Sequence, residues 1–349
     1  MPARRDALTA AGWLLACALS STSDLAPAVG SNRTAGRTDT QWVPPARDGT
    51  GIRAAIDALD DGGVVRLGAG TYRCRRPIRL DGSVWLVGSG RSTVLQFEGG
   101  FDPGMVVVPA DAQHSRVSSL TIDGHDATSG DCLVLLGYNY RPLLDRLVLR
   151  GGPRHGIAAR SGDDEYVYEP VVTDVDVKGV AANGFNLSYV ADLFGADLYA
   201  ETTGGAGLKL MDAGGVIVHP HAYDASGPAG VVVAESARDL RLYAPFLDTN
   251  RRHGGIVRGR RIVLHGTFAY DNAAGDPGNF DGLVLDGASR SLVTGGVFAN
   301  KQATSQRYGI AERGDARKNL VALNQLVGNV RGGLDQTGSS GSQVFGNVQ

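Results

Sequence analysis

Apolar and polar residues alternate along most of the chain in short runs. Val175/Val177 and Leu198/Ala200 are typical, and a period of two predicts β-strands. Each run is followed by a polar turn and then by a glycine with a large apolar residue behind it. The phrase occurs as Gly156-Ile157, Gly184-Phe185, Gly207-Leu208, Gly230-Val231, Gly255-Ile256, Gly282-Leu283, Gly309-Ile310 and Gly333-Leu334, at spacings of 23 to 28 residues. Repetition at this period predicts a stack in which no unit buries its apolar face alone and each neighbour completes the core of the next. Units as short as 23 residues, broken by glycine and turn residues, leave no room for a pair of helices. The pattern therefore predicts an all-β chain, a single-stranded parallel β-solenoid.

In each strand after the glycine, the apolar residue is expected to face inward and the next one outward. That puts Ala158, Asn186, Lys209, Val232, Val257, Val284, Ala311 and Asp335 on the outside. Two residues further on come Arg160, Ser188, Met211, Ala234, Gly259, Asp286 and Arg313. Polar side chains concentrate in the units at 156, 184 and 207. A short helix over Ile52–Leu59 carries Ile52, Ala55, Ile56 and Leu59 on one face and would cover the open first turn. Insertions at 161–169, 248–253, 271–281 and 300–308 exceed what a minimal solenoid needs and are expected to wall a groove.

The entry stretch Gly51-Ile-Arg-Ala-Ala-Ile-Asp-Ala-Leu59, with Gly62-Gly-Val-Val-Arg-Leu-Gly-Ala-Gly-Thr-Tyr-Arg73 and Val84-Trp-Leu-Val-Gly-Ser-Gly90, resembles the cap and first coils of pectate-lyase-like proteins. Over residues 51–349 the chain resembles the right-handed parallel β-helix family of pectate lyases, polygalacturonases and alginate epimerases. The resemblance implies a polysaccharide lying across the glycine-phrase strands, over Arg160, Asn186, Ser188, Tyr189, Lys209 and Asp212. Arg154, His155, Arg251, Arg252, His253 and Arg307 would rim the groove. Guanidinium groups grip carboxylates through paired hydrogen bonds, so a uronate polymer is the expected substrate.

Lyase or C5-epimerase chemistry would then need a base at C5. Lys209 is the candidate if neighbouring arginines lower its pKa, with Tyr189 or His253 returning a proton and Asn186 holding the carboxylate. Departures from the family are also plain. The polygalacturonase motifs are absent, and Gly184-Phe-Asn-Leu-Ser188 stands where alginate epimerases carry Gly-Phe-Asp-Pro-His. Two alternatives stay open: a glycoside hydrolase using Asp212 with Glu201 or Glu235, and a non-catalytic glycan-binding surface solenoid.

Composition changes this picture little. With 42% apolar residues, 349 residues would suffice for two domains, but the unbroken ladder argues for one. A net charge of −2 gives no bias toward nucleic acid or a membrane surface. Residues 1–28 read as an export signal, with Arg4-Arg5 before an apolar run from Ala7 to Leu19 that is too short to span a bilayer. Leu14-Leu-Ala-Cys17 offers a lipid anchor at Cys17, and Ala26-Pro-Ala28 offers ordinary cleavage; either places the protein outside the cytoplasm. Residues 29–50 read as a linker.

Cys74 and Cys132 would then be either a disulfide or two buried thiols. No cofactor is required, although Asp163-Asp164-Glu165 has oxygen ligands of the kind Ca2+ takes. His219-Pro-His221 alternates as metal ligands do, but its register is ambiguous and no metal is assigned. Asp224, Asp248, Asp271, Asn300 and Asn329 recur as a column expected to bond backbone in successive turns.

Overall fold

A computed structural model describes residues 39–349 apart from 61, 162–164 and 302–304. The export-signal reading with Cys17, the first part of the linker, and Asp163 and Asp164 lie outside the described residues. From Asp39 onward the chain winds as a parallel β-solenoid of about 12 turns. Each regular turn adds one strand to each of three parallel sheets. Sheet A holds the glycine-phrase strands, in the register Ile157, Phe185, Leu208, Val231, Gly255, Leu283, Ile310, Leu334. Sheet B runs through Leu144, Val172, Gly195 and Ile217 to Leu242, and sheet C through Leu149, Val177, Ala200, Ala222 and Leu247.

The bend from sheet B to sheet C is made by one left-handed residue per turn: Ser119, Arg146, Asp174, Asp197, His219, Ala244, Gly266, Gly295 and Leu323. His219 is therefore a corner residue. This settles the ambiguous register, because Pro220 is buried and His221 faces outward on sheet C.

The recurring glycine has a different cause. At Gly184 an added Cβ would lie 2.6 Å from Gly207 O and 2.8 Å from Ala200 Cβ, and at Gly282 it would lie 2.7 Å from Gly309 O. Neither has the left-handed φ that glycine alone tolerates well; close approach between turns excludes a side chain.

One rung departs from the sequence reading. In the pair Gly254-Gly255, Gly254 occupies the glycine column and Gly255 takes the core slot between Val231 and Leu283. A one-residue shift inverts every side chain in a strand. Ile256 therefore faces out in place of Val257, and Arg258 in place of Gly259; Val257 belongs to the core.

The helix α1 spans Asp48–Asp57, starting earlier than expected, and buries Ile52 and Ile56 against the first turn. Most of the described part of the linker reading is structured. Thr40–Val43 pairs with Val64–Leu67 and opens sheet B, and a 3-10 turn at Pro45–Arg47 leads into α1. Cys74 and Cys132 are separate buried thiols. Burial pushes the Cys74 thiol up to about 12 and Cys132 also upward.

The expected column of Asp and Asn bonding backbone in successive turns holds in part: Asp271 Oδ1 accepts from Lys301 N at 2.8 Å, Asn300 Nδ2 donates to Gly328 O at 2.9 Å and Asn329 Nδ2 to Phe298 O at 3.0 Å, but the residues do not form one column. Asp224 and Asp271 sit at left-handed corners, while Asp248 lies on sheet C beside Tyr223 and Tyr270. The inner ladder is instead Asn250, Asn272, Gln306 and Asn329, each amide donating to the next at 2.8, 2.8 and 3.0 Å.

Candidate functional site

Sheet A presents a narrow outward column: Val107, Val134, Ala158, Asn186, Lys209, Val232, Ile256, Val284, Ala311 and Asp335. Apolar residues occupy it at both sides of one polar pair. Val107, Val134 and Ala158 form one small cluster, and Val232, Ile256 and Val284 form another with Ala206 and Ala229. Asn186 and Lys209 are in register on consecutive strands. Asn186 Oδ1 accepts from Asn183 Nδ2 at 3.0 Å. No ion pair or hydrogen bond to another described residue engages the Lys209 ammonium. Ser188, two residues beyond Asn186, is nearly buried opposite Met211.

Tyr189 and Asp212 lie just past this face, both left-handed, at the corner where sheet A turns toward sheet B. Tyr189 packs edge-on against Tyr166 at 5.7 Å, and Tyr166 lines a surface cleft with Asp212, Ser236 and Arg238. Burial is the main cause that raises the Tyr166 phenol, with Asp212 adding to it.

The expected cationic rim is largely spoken for. Arg154 Nε donates to Asp131 Oδ1 at 2.8 Å, and Arg160 Nη2 lies 2.7 Å from Asp131 Oδ2. Arg307 holds Asp281 through Nε at 2.8 Å and Nη2 at 2.7 Å, with Arg313 Nη2 at 3.5 Å. Both carboxylates are fully buried. Arg154 and Arg307 are thus structural clamps rather than free substrate grips, because a buried carboxylate must be paired. Arg251 lies 3.6 Å from Asp224, and the Arg252 guanidinium sits 5.7 Å from the Phe280 ring centre. The sequence alone does not single out Asp131 and Asp281.

His155 and His253 occupy equivalent turns before sheet A. His155 Nδ1 accepts from Asn183 N and His253 Nδ1 from Asp281 N, each at 3.0 Å. A neutral imidazole with Nδ1 engaged in this way carries its proton on Nε2, so each ring is a donor and not a base. Burial pushes His253 down to about 4 and His155 down as well. His253 stands two strands from Lys209 and against Asp281, so it is not brought to the Asn186–Lys209 pair.

Elsewhere, Glu201 pairs with Lys178 at 3.0 Å on the outside of sheet C, away from Asp212. Glu235 follows the strand next to that of Asp212, at the same corner. His219 pairs with Asp197 and His221 with Asp248. Among the described residues no group of three His, Cys, Asp or Glu is arranged to hold a metal.

No family model and no curated protein matches the sequence. Solved structures do match. The A-module of a mannuronan C-5 epimerase from Azotobacter vinelandii superimposes with a TM-score of 0.72 at 18% identity, covering 88% of this chain and 95% of that one. The chain is a right-handed parallel β-helix. An alginate lyase from a Paenibacillus species gives 0.53 at 13% identity, covering 86% and 99% of the two chains. The catalytic domain of a GH87 α-1,3-glucanase gives 0.56 at 12%, covering 92% and 71%. At these identities the likeness is one of fold, and the β-helix supports many chemistries.

Proposed function

We propose that this β-helix acts on an acidic, uronate-containing polysaccharide laid across sheet A, as a lyase or a C5-epimerase. The observation that carries the reading is the polar centre Arg160, Asn186, Lys209, flanked along sheet A by valine, isoleucine and alanine on the neighbouring strands. Arg160, through the part of its guanidinium not engaged by Asp131, offsets the charge of the uronate carboxylate, Asn186 hydrogen-bonds it, and Lys209 Nζ takes the C5 proton. A lyase then breaks the C4–O bond, with Tyr189 protonating the leaving oxygen; an epimerase returns a proton to the opposite face of C5. A polymeric substrate would agree with the export-signal reading of residues 1–28.

The test is turnover on pectate, alginate and glycosaminoglycans, read by absorbance of the unsaturated product and by NMR of the polymer for epimerisation. Wild type should convert one of them and Lys209→Ala should not. Conversion by Lys209→Ala at the wild-type rate ends this reading.

A second reading, hydrolysis, rests on Asp212 at the cleft beside Tyr166, with Glu235 following the neighbouring strand. Carboxyl groups about 5 to 10 Å apart are what acid–base hydrolysis of a glycoside needs. New reducing ends without unsaturation, lost in both Asp212→Asn and Glu235→Gln, would select it.

A further inference from the structure

The same cluster is built twice. Asp131-Cys-Leu-Val-Leu135 is answered one turn later by Arg154-His-Gly-Ile-Ala-Ala-Arg160, and Asp281-Gly-Leu-Val-Leu285 by Arg307-Tyr-Gly-Ile-Ala-Glu-Arg313. The registers coincide: Leu133 lies beside Ile157 and Leu283 beside Ile310. The atoms coincide too. In each copy the first arginine donates Nε to Asp Oδ1 at 2.8 Å, and the following backbone N–H donates to the same oxygen at 3.2 Å. The second arginine reaches Oδ2 by Nη2. Six turns separate the copies, roughly 29 Å at the inter-strand spacing of ~4.8 Å.

One difference bears on the second arginine. Next to Ala311 in register, one turn beyond Arg313, stands Asp335, whose Oδ2 lies 3.0 Å from Arg313 Nη2 and which is only 9% exposed. The corresponding residue in the first copy, next to Ala158 and one turn beyond Arg160, is Asn186. An amide there brings no charge. Arg160 therefore keeps one ion pair, to Asp131, and among the described residues its Nε and Nη1 have no partner.

We propose that Arg160 and Asn186 form an open carboxylate subsite, and that Arg313 and Asp335 are a second copy closed by the protein's own carboxylate. This rests on the proposed function for the identity of the ligand, a uronate, but not for its geometry. Asp335 shows that a carboxylate is accepted beside this guanidinium; in the first copy the isosteric, uncharged amide of Asn186 stands at that position, so a ligand carboxylate meets Arg160 from the solvent side. Asn186 Nδ2 is left to donate to a carboxylate held there. The specificity that follows is for an anionic sugar at this turn and against a neutral one, since a guanidinium left unmatched by a neutral ring gains nothing from it.

Two reciprocal substitutions test this by calorimetry with oligomannuronate and oligogalacturonate, and with a neutral maltooligosaccharide as control. Asn186→Asp should close the open copy and weaken uronate binding roughly 10- to 100-fold, the range for a charge-assisted hydrogen bond. Arg160→Gln should do the same. Asp335→Asn should open the closed copy and add a second uronate equivalent for short oligomers. Uronate binding unchanged in Asn186→Asp, with the thermal transition retained, overturns the proposal, as does binding by the control oligosaccharide with the same affinity.

Turnover of the same variants separates this from the proposed function. Weakened binding with no turnover in wild type leaves the subsite standing and removes the enzyme. Turnover lost only in Lys209→Ala, with binding indifferent to Asn186→Asp, does the reverse.

Discussion

Arg307 and Asp281 meet through two parallel hydrogen bonds, Nε to Oδ1 at 2.8 Å and Nη2 to Oδ2 at 2.7 Å, on a carboxylate that water does not reach. The pair couples adjacent strands of sheet A, and Tyr308 N adds a third donor at 3.2 Å. Removing the charge leaves the Arg307 guanidinium without its carboxylate, while Arg313 keeps Asp335 at 3.0 Å. Asp281→Asn should lower unfolding free energy by about 1–3 kcal/mol, less than a fully buried pair would lose because both arginines keep some exposure. Asp131→Asn should cost a similar amount. The two should add within about 0.5 kcal/mol, since they share no partner. Urea unfolding of the single and double variants measures both statements, and strong non-additivity would argue that the copies are energetically coupled.

His253 makes a pH prediction. Burial disfavours its charged form, and the nearby Arg307 and Arg313 act in the same direction; Asp281 opposes them without prevailing, leaving the ring at about 4 against 6.5 for an unburied histidine. Between those values the unfolded chain binds more protons than the folded one, so stability rises with pH. As pH falls from about 6.5 to about 4, the folded state should lose this contribution, and below about 4 the effect should level off. His155 is shifted the same way and adds to the slope. His253→Gln should flatten unfolding free energy against pH across this window relative to wild type. At pH 6, nitrogen NMR should find a neutral ring protonated on Nε2, as acceptance by Nδ1 requires.

Much of the architecture can be read from the chain because its cause is local. Each glycine of the ladder is needed where two turns come too close for a Cβ, and that need recurs at the repeat period. Where the local signal is doubled it misleads. Gly254-Gly255 fits the phrase in two registers, and only the neighbours Asn272 and Gly282 O, against which a Cβ at Gly254 would come within 2.7 and 2.4 Å, decide between them.

Asn186 and Lys209 are legible because outward polar residues stand out in an apolar strand. Asp131 and Asp281 are not, because an aspartate before a glycine-phrase strand looks like any turn residue until its arginine, a turn later, is placed against it. Arg154 and Arg307 mislead for the same reason. A cation's availability depends on partners distant in sequence.

The ladder itself can be tested by contrasting two glycines. At Gly184 the obstacle is fixed backbone: Gly207 O at 2.6 Å from a new Cβ, with Ala200 Cβ at 2.8 Å. Neither atom belongs to a flexible side chain, so the strands must separate to admit a methyl group, and overpacking of this kind costs about 1–3 kcal/mol. Gly179 has the opposite character. Its φ is +61° and no atom lies within 4 Å of where a Cβ would stand, while the next two turns place Thr202 at φ 52° and Asp224 at φ 49° at the same corner. Asparagine tolerates that conformation well, so Gly179→Asn should cost under about 1 kcal/mol. Gly184→Ala should therefore melt clearly below Gly179→Asn in thermal denaturation. Equal losses would mean that backbone freedom, and not the distance between turns, is what the recurring glycine supplies.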